Sequence, residues 1–531
     1  MASASFCGLI CMQPQSPDGD PCVACAERWN PPTIRRPSTS QIPKLVVLQQ
    51  MELTSSESSP SPKEPHEIFE GMPIEIVGRI FEHSIRSDNP DWPLKLPFKL
   101  GSVCSQWRQI AWSTPSLWTD VLFSIEKINL SRRIDLLEEI IPRSGTLLLT
   151  LRLTGVGLFD GKSHPPESFK TSDDFQRFTR CLYDCSRRWH SLDLNLFDMS
   201  YIIPLFQLLP DAPNLKKLQV FLFTLDVDTV GEGSPAIDID FAALAPNIQA
   251  FNVSYHPNLS KLSLCWDKLI ELSLGDTISE IIAATQRSHI LRRLFIVNRE
   301  SEQPVTLPHR TLCTHTNLRS IHIEDAHQAI AFFSSVVVPN LEDLSLSTGD
   351  VNGISLAAAL ERSCRGRTLT RLKLYNVRMG DDVQSSKGIL AVLSVLPSLI
   401  ELDLSYQHSP GKAEDYCGVV FRTFGSDKRA LLPNLQVFHL EASSSDHDDF
   451  QFLGNAFTHI QHFSSPLREF TVTLQVHRRQ TWMEKMAVLV SLDTGLSRQI
   501  QAFQSKGRVI RVLMKHGLSQ THDIVPLSKV V

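Results

Sequence analysis

Two cysteine pairs, Cys7-x3-Cys11 and Cys22-x2-Cys25, come nearest in this chain to residues whose types and spacing could do chemistry. Four thiolates so spaced can surround a zinc ion tetrahedrally. The segment between them is rich in Pro, Asp and Gly and has no hydrophobic nucleus, so the expectation is an arm without a structural metal. Asp446, His447, Asp448 and Asp449 could gather around a cation, but they read as a solvated acidic loop. The stretch TGVGLFDGKS ends like a phosphate-binding loop, yet Val156 stands where such a loop needs Gly. Pro165-Pro166 then spoil the helix whose N-terminus would hold the phosphate. There is no Gly-x-Ser-x-Gly elbow and no His-Glu-x-x-His helix, and the 18 histidines are dispersed. The chain therefore reads as not an enzyme, with no catalytic residue, no metal ligand and no cofactor.

What remains is binding, and the question becomes which elements would present a surface. A chain of 531 residues has room for several domains or one long repetitive one. Its 42% hydrophobic and 21% charged content is the ordinary mix of a folded chain. A formal charge of -5 gives no global positive field for nucleic acid or anionic lipid, and Arg132-Arg133, Arg187-Arg188 and Arg478-Arg479 are short and scattered. No stretch approaches the roughly 20 apolar residues of a membrane span, and FCGLIC is too short and lacks the basic flank of a signal peptide. The reading is a reducing, cytoplasmic or nuclear location, with no nucleic-acid and no membrane partner. The 11 cysteines are then mostly buried thiols.

Residues 1–67, with Pro31-Pro32 and the run TSSESSPSPKEP, offer little to bury and read as a disordered arm. Residues 68–125 carry short helical signals. Ile76, Ile80, Phe81 and Ile85 recur at helical steps after Pro73, which suits a first helical turn. Leu100, Val103, Cys104, Trp107, Ile110 and Ala111 mark a second helix with one buried stripe, and Thr114-Pro115 opens a short third one carrying Leu117, Trp118 and Val121. Three such helices bury too little to stand alone, so they should lean on a neighbour.

MPIEIVGRIFEHSI followed by LGSVCSQWRQIAWSTPSLWTDV resembles the F-box, in the form found in the large basidiomycete (mushroom) F-box-like family. The resemblance implies that Met72, Pro73, Ile76, Ile80, Phe81, Val103, Trp107, Leu117 and Trp118 dock a Skp-type adaptor and through it a cullin, some of them instead supporting the internal fold.

Beyond about residue 125 the chain repeats the phrase L-x-x-L-x-L, clearest at Leu291/Leu294/Ile296, Leu318/Ile321/Ile323, Leu341/Leu344/Leu346, Leu369/Leu372/Leu374 and Leu399/Leu402/Leu404. Two apolar residues separated by one share a strand face, so each phrase predicts one rung of a parallel sheet. Intervals such as the 28 residues from Leu341 to Leu369 leave room for a returning helix. Pro-Asn-Leu or Pro-Ser-Leu introduces many rungs and stops the preceding helix. The predicted fold is α/β: an irregular leucine-rich-repeat solenoid over 126–475, preceded by a small all-α F-box and closed by a cap over 476–531. Leu259/Leu262/Leu264, only ten residues before the next phrase, is an irregular rung. In the cap, Leu496, Ile500, Phe503 and Val509 to Leu513 pattern as an amphipathic helix. The same mushroom family has a resembling solenoid, matched at RSGTLLLTLRL, CSRRWHSLDL and LCWDKLIELSL.

If the leucines build the core, function falls to the x positions, which point to the other face. Phe295, an aromatic on a polar face, leads the candidates for holding an unknown target protein, with His322, Arg371 and His439. Equal spacing from Leu369 and Leu399 also predicts Arg371 opposite Glu401 and Lys373 opposite Asp403. The resemblance implies a substrate-recognition subunit of an SCF-type ubiquitin ligase. The alternative is a repeat scaffold whose helical segment merely caps the sheet, with no link to ubiquitin.

Overall fold

The computed structural model describes residues 71–85, 95–124, 130–155, 172–196, 206, 211–222, 240–253, 262–275, 277–297, 312–347, 353–364, 367–377, 383–407, 431–444, 466–476, 501, 503–505, 507–516 and 520–523. The arm 1–67 with its cysteine pairs, most of TGVGLFDGKS and the acidic run 446–449 lie outside them.

The fold is α/β, with one large, mostly parallel sheet and ten α-helices among the described residues. Three helices come first, α1 (Ile74–Ile85), α2 (Lys95–Val103) and α3 (Ser105–Ser113), followed by a 3-10 turn at Pro115–Trp118. Val121 is not part of that turn. It belongs to β1 (Asp120–Ser124), the first strand of the sheet, because the alternation Val121, Phe123 buries every second residue. The sheet thus begins within 68–125, and Phe81, Ala111 and Trp118 join the same buried core as Val121 and Leu151. Helix α4 (Leu130–Arg143) follows, its buried Leu130, Ile134, Leu137 and Ile141 one turn apart on one face.

Next come β2 (Leu149–Thr154), α5 (Asp173–Cys185), β3 (Trp189–Leu196), β4 (Lys217–Leu222), α6 (Phe241–Leu244) and β5 (Ala250–Val253). They are followed by β6 (Glu271–Leu274), α7 (Ile278–Arg287) and β7 (Arg293–Ile296). A separate two-stranded pair, β8 (Cys313–Thr314) with β10 (Val336–Val337), brackets β9 (Ser320–Ile323) and α8 (Ala326–Ser335). The chain continues through β11 (Asp343–Ser347), α9 (Gly353–Cys364), β12 (Arg371–Val377), α10 (Val383–Ser394) and β13 (Glu401–Gln407). It ends with β14 (Val437–Ser444), β15 (Glu469–Val476), β16 (Val509–His516) and β17 (Gln520–Asp523).

Fifteen of these strands form one sheet in chain order, each beside its predecessor once β8 and β10 are set aside. Every pairing is parallel except the last, β16 with β17. Side chains one residue apart share a face, so Leu344/Leu346, Leu372/Leu374 and Leu402/Leu404 are all buried together, in register across neighbouring strands. Side-chain hydroxyls or carboxylates cap several helices: Ser172 accepts from the Phe175 amide, Thr277 from Glu280 and Asp325 from Gln328.

The Pro-Asn-Leu turns, and the Pro-Asn-Ile turn at Pro246, do more than stop helices. Asn247 Nδ2 donates to the Pro213 carbonyl at 2.9 Å, Asn340 to Thr316 at 2.8 Å and Asn434 to Pro397 at 3.0 Å, so each turn is tied to the one before it.

Two expected elements differ. Leu262 and Leu264 are buried, but Ser263 makes only an isolated bridge to Asp240, and β5 pairs directly with β6, so this phrase adds no strand to the sheet. Val509 to Leu513 form a strand, not a helix. Gly507, at φ 72°, sits in the left-handed region that a helix cannot continue through, and the β-branched Val509, Ile510 and Val512 then pair with β15.

Candidate functional site

The nine apolar residues that the F-box resemblance singles out divide in two. Phe81, Leu117 and Trp118 are buried, Trp118 donating its indole N–H to the Ala111 carbonyl at 2.8 Å. Trp107 is partly buried, its ring 4.9 Å from that of Phe81. As direct contacts for a partner, Phe81, Leu117 and Trp118 are therefore corrected: helical spacing marks them as apolar but cannot tell the inward side of a short helix from the outward one. Met72, Pro73, Ile76, Ile80 and Val103 stay at the surface, joined by Ile74. Ile76 is 50% exposed and Val103 60%. Removing such surface from water stabilises by about 25 cal/mol per Å2, which makes these side chains the available apolar contacts of the segment.

Helices α2 and α3 meet in a tight aromatic joint. A Cβ on Gly101 of α2 would lie 2.0 Å from the Trp112 ring of α3, so only glycine lets these helices meet there. Trp112 packs edge-on against Phe98 and Trp118, and Arg143 of α4 lies over the Trp112 ring at 4.9 Å.

The second surface is the face of the sheet that carries the x positions. Phe295, His322, Arg371 and His439 all stand on it, at successive registers of β7, β9, β12 and β14. Only Phe295 and His322 touch, with ring centroids 5.9 Å apart. Arg371 lies in the row nearer the strand starts, and His439 sits opposite Asp403. The predicted register holds: Arg371 faces Glu401 and Lys373 faces Asp403, with Lys373 Nζ 3.7 Å from the Asp403 carboxylate. Ser263 does not lie on this face in the sheet.

Tyr375 went unremarked in the sequence. It follows the buried Leu374 and so shares the x face with Lys373, a position the alternation itself marks. Its ring reaches back over β11 to within 6.0 Å of His322, because Ser345 and Ser347 between them are small. Burial lowers the pKa of His322 below the usual histidine range, against the pull of Glu324 and Asp343, and raises that of Tyr375. Both are neutral at physiological pH. Burial also pushes the Asp403 carboxyl up, more than the nearby Lys373 and His439 draw it down.

Among the described residues no group of three or more His, Cys, Asp or Glu side chains could hold a metal ion. No helix among them is long and apolar enough to cross a membrane. No protein-family model matches the chain, and no curated protein is similar to it.

Proposed function

We propose that this chain is a substrate-recognition subunit of an SCF-type cullin-RING ubiquitin ligase. Its first helices act as an F-box that docks a Skp-type adaptor, and its sheet is the inner wall of a leucine-rich-repeat solenoid that holds a target protein. The observation that carries the reading is the separation of the F-box-like residues into a buried set, Phe81, Leu117 and Trp118, and an exposed apolar set, Met72, Ile76, Ile80 and Val103, joined by Ile74. Apolar side chains left exposed on short helices whose inner sides are buried suit a partner that covers them. The chemistry would belong to other subunits. This chain would raise the effective concentration of target lysines near a ubiquitin carrier, an effect of proximity alone.

The alternative, a scaffold in which these helices only cap the sheet, draws on their shared core with β1. Co-purification with the adaptor separates the two. Ile76→Glu with Ile80→Glu alters exposed side chains and leaves the core intact, so the variant should keep its helical circular dichroism and lose the adaptor. A wild-type chain that captures no adaptor, or a folded double variant that captures as much as wild type, overturns the ligase reading in favour of the scaffold.

A further inference from the structure

We propose that the aromatic strip Phe295–His322–Tyr375 on the x face receives arginine or lysine side chains from an unfolded basic segment of the target. This deepens the reading of the x face as a target-binding surface and rests on it. Three rings step across β7 to β12, Tyr375 one x position further along its strand than Phe295 and His322, with centroid steps of 5.9 and 6.0 Å. An extended chain advances about 3.3 Å per residue, so alternate side chains fall roughly 6.6 Å apart and can meet successive rings. Rings attract cations through their negative faces, most strongly where water is excluded, and all three are half-buried.

Charge selects the occupant. Among the described residues on the x face of strands β6 to β14 and at Glu324 just beyond β9, Arg293, Arg371 and Lys373 stand against Glu271, Glu324, Asp343, Glu401, Asp403 and Glu441. Arg293 pairs with Glu271, Arg371 with Asp343 and Lys373 with Asp403, and among the described residues the acids of this face outnumber the bases, which makes the field over the strip negative. Asp343, beside the strip, pairs with Arg371 through Oδ2, while its Oδ1 is buried with no hydrogen-bond partner among the described residues. The lowered pKa of His322 keeps the middle ring from repelling a cation at neutral pH. An acidic segment meets a field of its own sign and is disfavoured.

The test is fluorescence anisotropy of the full chain with a labelled nine-residue peptide of alternating Arg and Ser, and with the same peptide carrying Glu for Arg. The Arg peptide should bind and the Glu peptide should not. Tyr375→Leu and Phe295→Leu, which change no charge, should each weaken binding by about five-fold or more. Asp343→Asn should weaken it, while Glu361→Gln, the same charge change on an exposed position of α9, should leave it unchanged. Equal binding by the ring variants and wild type overturns the proposal, as does equal loss from Glu361→Gln and Asp343→Asn, which would reduce the effect to net charge. If a ring variant fails to fold, a photo-crosslinker in the Arg peptide decides on the wild-type chain: attachment within β7–β12 supports the strip and attachment elsewhere overturns it. Adaptor capture is scored separately, so absent peptide binding with intact adaptor binding sinks this inference alone.

Discussion

Arg371 stands in register between Asp343 on one neighbouring strand and Glu401 on the other, and its guanidinium is 3.6 Å from the Asp343 carboxylate. Charge alternation across the strands puts a cation between two anions. The guanidinium pairs with Asp343 and stays about half exposed, at 51%. An ion pair that wet is screened and costs side-chain entropy to hold, so it contributes under about 1 kcal/mol.

Arg371→Ala and Glu401→Ala should therefore each shift the unfolding free energy by less than about 1 kcal/mol. Urea denaturation of the two variants beside wild type checks this. A loss of several kcal/mol from either would mean that the pair is part of a desolvated network.

Asp403 behaves oppositely to most paired carboxylates. Burial raises its folded pKa above the unfolded value, and Lys373 does not fully offset this. The folded state then binds the proton more tightly, so the ionised form costs stability once the pH exceeds the folded pKa, and the cost vanishes below the ordinary carboxylate range. Asp403→Asn should be at least as stable as wild type at pH 7 and should lose that advantage near pH 3. Greater stability of wild type at pH 7 would show that the Lys373 pair outweighs desolvation.

The register of Lys373 on Asp403 is legible in the sequence because equal steps from Leu369 and Leu399 leave no other alignment that keeps both leucine pairs buried. Other features are not. Ile76 and Phe81 both fit the helical spacing, and only tertiary packing puts one outside and the other in the core. Val509 to Leu513 are apolar enough for a helix or a strand, and a neighbouring strand edge decides between them. Leu262 and Leu264 satisfy the repeat phrase, yet the short step to Leu269 leaves them in the core without joining the sheet. Tyr375 becomes part of the strip only because two serines on the intervening strand let its ring lean across them.

Helices α9 and α10 meet backbone to backbone at two glycines. A Cβ on Gly353 would lie 2.4 Å from the Gly388 carbonyl carbon, a distance real Cβ atoms essentially never show, whereas a Cβ on Gly388 would lie 3.0 Å from Gly353 Cα. Backbone cannot swing aside as a side-chain tip can. Both Gly→Ala changes should destabilise, Gly353→Ala the more, by about 1–3 kcal/mol in the manner of overpacked cores. Thermal melts should rank the two in that order; Gly353→Ala melting at the wild-type temperature would show that the helices can part freely.

Cys364 gives the sheet's helical side an alkaline limit. It is 1% exposed at the end of α9, and burial pushes its pKa from 9.0 up to about 12, with Ser363 lowering it slightly. Below the unfolded pKa both states hold the proton and stability does not change. Between about pH 9 and 12 the unfolded thiol ionises while the folded one stays neutral, so the unfolded state binds fewer protons and stability falls as pH rises. Cys364→Ala removes that titration and leaves a small cavity in its place. Wild type should therefore be the more stable at pH 8.5, and its margin should shrink by about 2 kcal/mol by pH 10.5. Urea midpoints of both chains at the two pH values measure the change in margin; a constant margin would mean that Cys364 ionises as readily in the folded chain as in the unfolded one.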